Sequence, residues 1–348
     1  MKIVVVGSRL ADSLEQHLCQ SFRVLGYDAT LLDVADGLLV SAKINYWMAR
    51  FVEFYDRAIS SNIADRIIKL RPDLVVVVYR YLHPVLVERL KKQLPGVIVV
   101  QMNPDPISNL EKQQIIAADF DYYFSKEPYI VDTLRHKAGL NAHYLPEGFN
   151  PRIYQKPAVE KSVAEWLTDI DVLVFGNLYA YRARMVEQLI RAGLKVTVYG
   201  HQGPYLRPEL NAIINQHQLT GPEKNRLFYG AKIVFNNFHY AEVSSVNHKY
   251  FELNGIGAFQ LCDYKSTIED HTGIPAEQVT YRNIDDAIDK IRYYLARPVK
   301  RHELAATQYT HFQQHHTFDQ RVTQLLQTVG LAPLLDSEQL QIDDWWDD

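Results

Sequence analysis

The sequence predicts an α/β chain of two Rossmann-like domains facing a central cleft. Short, β-branched apolar runs alternate with helical patterns, the mark of a parallel sheet covered on both faces. The alternation breaks at a proline-bearing stretch after Leu145 and then starts again.

In the first half, Ile3 to Val6 reads as a buried strand ending in Gly7-Ser8-Arg9. Ser13 to Leu25 follows as a helix, with Leu14, Leu18, Phe22 and Leu25 at helical spacing. Further strands are expected at Tyr27–Val34, Leu74–Tyr79, Val97–Gln101 and Tyr122–Phe124, with helices at Asn62–Leu70 and Pro84–Leu94. Leu145 to Val163 holds Pro146, Pro151 and Pro157 and reads as the interdomain linker. The pattern resumes with strands at Asp171–Phe175, Lys195–Tyr199, Ala231–Asn236 and Phe259–Cys262. Helices are expected at Tyr181–Ala192, from about Ser245 to Leu253, and after the Asn283 cap. Ser266-x-x-Glu269 reads as a capped turn, and helical patterns over 300–316 and 318–328 close the chain. The predicted division is 1–155 (N-terminal domain with linker), 156–316 (C-terminal domain) and 317–348 (return helix and acidic tail).

The 348 residues are 47% hydrophobic and 22% charged, an ordinary globular composition. The net charge of -4 gives no footprint for nucleic acid. Cys19 and Cys262 form neither a disulfide framework nor a C-x-x-C metal site. With no signal-like start and no apolar run of membrane-spanning length, the expectation is a cytoplasmic protein that leaves room for peripheral membrane contact.

Open α/β sheets bind ligands beyond the carboxyl ends of their strands. The richest such place is Asn236 to Asp263, where a strand leads through a polar loop into a helix. Ser245, Lys249 and Glu252, at i, i+4 and i+7, would share one helix face. A helix N-terminus with a lysine one turn in suits a pyrophosphate, and a carboxylate a turn further suits ribose hydroxyls. The same spacing also fits a capped helix with a surface Lys–Glu pair. Gly7-Ser8-Arg9 is too short for a dinucleotide fingerprint, but Gly7 and Ser8 leave the first strand open to an acceptor or phosphate.

Asn247-His248-Lys249-Tyr250-Phe251-Glu252, followed by Gly257-Ala258-Phe259-Gln260-Leu261-Cys262-Asp263, resembles the C-terminal motif of CgeB-like glycosyltransferases, relatives of the retaining glycosyltransferase family 4. The likeness extends to Gly176-Asn177-Leu178-Tyr179, Tyr281-Arg282-Asn283 and His316-Thr317-Phe318, and thins before residue 95. It implies the GT-B fold and transfer of a sugar from a nucleotide-sugar to an unknown acceptor (glycan, lipid, protein or small molecule), with retention and without a metal ion. By this resemblance Glu252 binds the donor ribose, Lys249 faces the pyrophosphate, and Asn247 orders the loop. Gly176, Asn177 and Tyr179 lie by the donor phosphates, and Gly200 and His201 near the base. Ser245 and Ser244 join the donor set, although relatives carry a glutamate at the position of Ser244 and the nearest acid here is Glu242. Asp105, in Asp105-Pro106, is the N-terminal catalytic candidate beside Lys249. The nucleotide-sugar is expected as substrate, with no cofactor. Asp119-Phe120-Asp121 reads as a turn rather than a metal motif. A nucleotide-sugar epimerase or hydrolase on this fold, or a non-catalytic nucleotide-sugar binder, stands as the alternative.

Overall fold

The computed structural model describes residues 1–10, 12–37, 40–78, 81–105, 114–203, 206–217 and 219–331. Pro106, Tyr79 and the acidic tail Asp336–Asp348 lie outside the described residues. The chain forms two compact units: Met1–Pro146 with the segment from Phe318, and Glu147–Thr317.

The first unit contains the strands β1 (Lys2–Gly7), β2 (Asp28–Asp33), β3 (Leu74–Val77), β4 (Ile98–Asn103), β5 (Tyr122–Ser125) and β6 (Ala142–Tyr144). They pair in parallel in the order β2-β1-β3-β4-β5-β6. Its helices are α1 (Leu14–Val24), α2 (Ala42–Phe51), α3 (Glu53–Leu70), α4 (Val85–Gln93), α5 (Gln114–Ala117) and α6 (Pro128–Asp132). Ser13 caps α1 by accepting from the Gln16 N–H. The sheet is apolar on both faces. Val5 and Val76 pack with Leu18 and Phe22 on one side, and Val4 and Val75 with Ile63 and Leu90 on the other.

The second unit contains β7 (Val172–Phe175), β8 (Val196–Tyr199), β9 (Ile214–Asn215), β10 (Ile233–Asn236), β11 (Gln260–Asp263) and β12 (Thr280–Tyr281). Their order, β12-β11-β10-β7-β8-β9, is again all parallel. Its helices are α7 (Lys161–Thr168), α8 (Ala180–Arg191), α9 (Pro208–Asn211), α10 (Gly221–Gly230), α11 (His248–Ile256), α12 (Ile268–His271), α13 (Ile284–Leu295) and α14 (Pro298–His315). The last helix, α15 (Phe318–Thr328), returns to the first unit, where Phe318, Val322, Leu325 and Leu326 join Leu18 and Phe22 in the core.

Several elements differ from the sequence expectation. The units divide at Pro146/Glu147 rather than after residue 155, because Phe149 and Tyr154 are buried in the second unit's core. The chain between β2 and β3 includes α2 and α3, where apolar spacing alone marks only the end of α3. Helix α11 begins at His248, not near Ser245, because Asn247 takes the cap by accepting from the Tyr250 N–H. Ser266 does not cap a helix; α12 starts after Thr267, and the Glu269 carboxylate accepts from the Tyr264 hydroxyl at 2.6 Å.

Candidate active site

The strand order of the second sheet reverses at β7, whose neighbours are β10 and β8. The crevice beyond the carboxyl ends of β7 and β10 is therefore the topological switch point, where open α/β sheets bind ligands. Four short loops and helix starts meet there, and glycine sets their distance. Gly176 closes β7 with φ +118°, and Gly200 closes β8 with φ +158°. A side chain on Gly200 would run into the Gly176 carbonyl, and one on Gly203 into that of Leu178. The two turns are laced together by Gly176 N–H to Tyr199 O (2.8 Å) and Leu178 N–H to His201 O (2.9 Å).

Two cations, the buried Arg182 and the half-buried Lys249, converge on this turn. A Cβ added to Gly176 would lie 2.9 Å from Arg182 Nη1 and 3.2 Å from Lys249 Nζ. Lys249 donates to the carbonyl of Phe175, the last residue of β7. Arg182 donates from Nη1 to Asn177 O (3.0 Å), from Nε to Asn237 Oδ1 (2.8 Å) and from Nη2 to Asn237 O (2.9 Å). Its guanidinium carbon lies 4.9 Å from the Tyr179 ring centroid, and the Tyr179 hydroxyl donates to Phe238 O at 3.2 Å. Both cations stand in the first turn of their helices, α8 and α11. The positive end of a helix dipole disfavours a cation there. Burial pushes the Lys249 ammonium well below the usual lysine range, and the charge of Arg182 pushes it further. Such an arrangement is compensated when an anion sits against both groups and the free N–H groups of the helix start.

Helix α11 is held in position by amides. Asn236 and Asn247 exchange hydrogen bonds at 3.2 and 3.1 Å, and Asn236 also donates to Gln260 at 3.0 Å. One turn beyond Lys249, Glu252 is buried among basic and phenolic groups. Lys224 lies 3.1 Å from its Oε2 and His248 3.0 Å from its Oε1, and the Lys224 ammonium stands 5.1 Å from the Tyr154 ring centroid. Burial alone would raise the Glu252 carboxyl, but Lys224 and His248 hold it well below the usual carboxylate range. Burial likewise opposes the His248 imidazolium, and the Glu252 charge raises it above its ordinary value.

A family model described as glycosyl transferase-like matches residues 182–327, so the match opens on Arg182 and contains α11. The spore protein CgeB of Bacillus subtilis is 25% identical over 204 residues, covering 52% of this chain and 59% of that protein. The chain is thus similar to CgeB over about half its length, and its two units have the GT-B fold. The fold is shared with the N-terminal domain of Candida albicans trehalose-6-phosphate phosphatase, at TM-score 0.69 and 11% identity over 94% of this chain and 96% of that one. It is shared with sucrose-phosphate synthase from Thermosynechococcus elongatus, at TM-score 0.66 and 11% identity over 95% and 98%. The T4 phage β-glucosyltransferase, solved with UDP-glucose, aligns at TM-score 0.55 and 12% identity over 95% and 100%.

The structure brings Gly176, Asn177, Tyr179, Gly200 and Lys249 to one place, with Asn247 at the cap beside them. His201 is exposed at the rim of the same turn. The shared face of Ser245, Lys249 and Glu252 is not formed. Ser245 precedes the helix and donates to Glu242 Oε2 at 2.9 Å. Ser244 is partly buried and its carbonyl accepts from Thr267 Oγ1 at 2.6 Å; Lys265 donates to the carbonyl of Glu242, so the loop is pinned to the turn after β11. In the first unit, Gly7 is not an open approach: Glu15 fills the space where its side chain would stand, and the Ser8 N–H donates to Glu15 at 3.0 Å. Asp105 lies in the turn after β4, its N–H bonded to Asn103 Oδ1 at 3.2 Å. Asp119 and Asp121 face Lys91 at 3.6 and 2.9 Å, and Asp121 also accepts from the Val99 N–H. Among the described residues no group of three or more His, Cys, Asp or Glu is placed to hold a metal ion, and no helix is long and apolar enough to cross a membrane.

Sequence reasoning missed Arg182, Lys224 and His248. For Arg182 the signal was present: an arginine in the first turn of a helix opened by a glycine turn opposes the dipole, a conflict that a bound anion would relieve. Lys224 and His248 carried no comparable signal, since their roles depend on which carboxylate the fold brings near.

Proposed function

We propose that this chain is a glycosyltransferase that holds a nucleotide-sugar on its C-terminal unit and transfers the sugar to an acceptor. The observation that carries this is the convergence of Arg182 and Lys249 on Gly176 at the switch point. In the proposed complex the donor diphosphate lies against both cations and the start of α11. As the glycosidic bond breaks, negative charge grows on the leaving diphosphate, and fixed cations in a dry site stabilise it without reorganising. Because side-chain cations supply this charge, the reading includes metal independence; retention of configuration is proposed with it. The ribose is assigned to Glu252, whose carboxylate has further lone pairs beyond those taken by Lys224 and His248. Gly200 and His201 are assigned to the base. Asp105 is assigned to acceptor chemistry, so Asp105→Ala should lower turnover with donor affinity retained.

The deciding experiment is calorimetry with a panel of nucleoside diphosphates, followed by mass spectrometry of donor turnover with and without candidate acceptors. Binding without turnover for every donor supports the second reading, a non-catalytic nucleotide-sugar binder. That reading is favoured by Ser244, which stands where relatives carry a glutamate, and by Glu242, which is buried and bonded to Ser245. No binding of any nucleoside diphosphate would defeat both.

A further inference from the structure

The chain between β2 and β3 turns apolar side chains outward. Ile44, Trp47 and Phe51 recur at i, i+3 and i+7 of α2 and share one face. They are 52%, 52% and 72% exposed. The helix breaks at Val52, which is extended (φ -120°, ψ 91°), and Phe54, in the first turn of α3, is 82% exposed. These rings are preset rather than loose. Trp47 and Phe51 stack with centroids 5.8 Å apart and planes 3° from parallel. Tyr46 meets Trp47 edge-on at 5.5 Å and Tyr81 at 5.9 Å. The opposite face is anchored, with Asn45 buried and accepting from the Tyr55 hydroxyl at 3.1 Å.

The charges on this joint are biased. The Arg50 guanidinium lies about equally far from the Tyr46 and Phe51 rings, at 5.9 and 6.0 Å. Arg57 and Glu53 are exposed, whereas Asp56 is buried and accepts from Gln114 at 3.2 Å. Arg50 is half-buried, its Nη1 donating to the Tyr46 hydroxyl at 2.9 Å, so the joint carries Arg50 and Arg57 against the exposed Glu53, one positive charge in excess on a chain whose net charge is -4. A protruding corner of stacked aromatics flanked by arginines suits a surface that parts to receive rings and presents anions above them. That is an anionic bilayer, where tryptophan sits at headgroup depth and long cationic side chains reach the phosphates. A protein partner would instead need a preformed pocket for each ring.

We propose that the α2–α3 joint seats on an anionic membrane surface, with Trp47, Phe51 and Phe54 inserted and Arg50 and Arg57 at the headgroups. The test is flotation of the full chain with vesicles of phosphatidylcholine alone or with about a third phosphatidylserine. Expected is binding to the anionic vesicles that weakens with salt. Trp47→Ser/Phe51→Ser/Phe54→Ser should cut partitioning by about tenfold or more, with an unchanged melting temperature and nucleotide affinity. Arg50→Glu/Arg57→Glu, with the rings intact, should abolish the preference for anionic vesicles. Failure of the wild type to float with anionic vesicles, or equal flotation of the serine variant, overturns the proposal. So does equal binding to neutral vesicles. A wild-type dimer that the serine variant dissociates, with no vesicle binding by either, overturns it in favour of a second copy of the chain.

Discussion

The two units are built alike and charged oppositely at the same place. In each, the first strand of the unit ends in a glycine turn that leads into a helix. After β1, the residue that fills the turn is Glu15, an acid in the first turn of α1, which is the sign the helix dipole favours. After β7, it is Arg182 in the first turn of α8, joined by Lys249 from α11, the sign the dipole disfavours. The N-terminal turn satisfies itself; in the proposed complex the C-terminal turn is completed by an anion from outside. Shared architecture therefore does not imply shared ligand chemistry. On this reading nucleotide phosphate belongs to the second unit alone.

The largest effect that tests this contrast is expected at the cation pair. Arg182→Ala or Lys249→Ala should each weaken nucleoside diphosphate binding by about 3 kcal/mol, roughly a hundredfold. Arg182→Lys should recover little, because a lysine cannot keep the fork to Asn237 and Asn177. Calorimetric affinities within threefold of wild type for both alanine variants would place the diphosphate elsewhere.

Glu252→Ala should act on stability as well as on binding. It leaves Lys224 buried without its carboxylate, a change of about 3 kcal/mol, and it removes a ribose contact of about 1.5–3 kcal/mol. Denaturant melts and calorimetry on the same variant separate the two. A variant that loses stability but keeps nucleotide affinity assigns Glu252 to counter-charge alone. The pair also sets a pH signature. Because the Glu252 carboxyl is depressed, its stabilisation is present above the ordinary carboxylate range and is lost as pH falls through the depressed value. Because His248 is raised, its stabilisation is complete below the ordinary histidine value and is lost as pH rises through the raised one.

A smaller effect concerns protons taken up on binding. Burial holds the Lys249 ammonium well below its ordinary range, and a diphosphate against it would raise it again. Binding should then take up protons, and affinity should fall as pH rises across the window between the free and bound values. Calorimetry in buffers of different ionisation enthalpy measures this directly; the signal should vanish in Lys249→Met. The smallest effect is in the N-terminal turn. Burial raises the Glu15 carboxyl, so its ionised form costs stability as pH rises through that raised range. Glu15→Gln should raise the melting point slightly at neutral pH and leave nucleotide affinity unchanged. A fall in affinity there would bring the first unit into the phosphate site.

Much of the fold was legible because strand and helix periods are local properties. The runs Ile3–Val6 and Leu74–Val77 are fully apolar since both sheet faces are covered. The short β9, β12 and α9 were not legible, because segments of two to four residues carry too few positions to show a period. Helix α2 escaped because its apolar face points away from the core, against the pattern such a reading expects. In the site, Asn247, Lys249 and Glu252 could be named from their neighbours in sequence, and Gly176 from its turn.

What the sequence by itself determined is the alternation of strands and helices, the restart after Leu145, and the glycine turns and capped helix that favour an anion. These follow from spacing and residue type, which are fixed by the chain. Tertiary structure decided which charges meet. Arg182 comes from the helix after β7, Lys249 from the helix after β10, and Lys224 from a helix packed beside Glu252. Parallel pairing of β7 with β10 brings the helix starts after them together across more than sixty residues of chain. Coulombic interaction depends on that distance in space, and on burial that removes the screening water, so neither the partners nor their shifted protonation can be read along the chain.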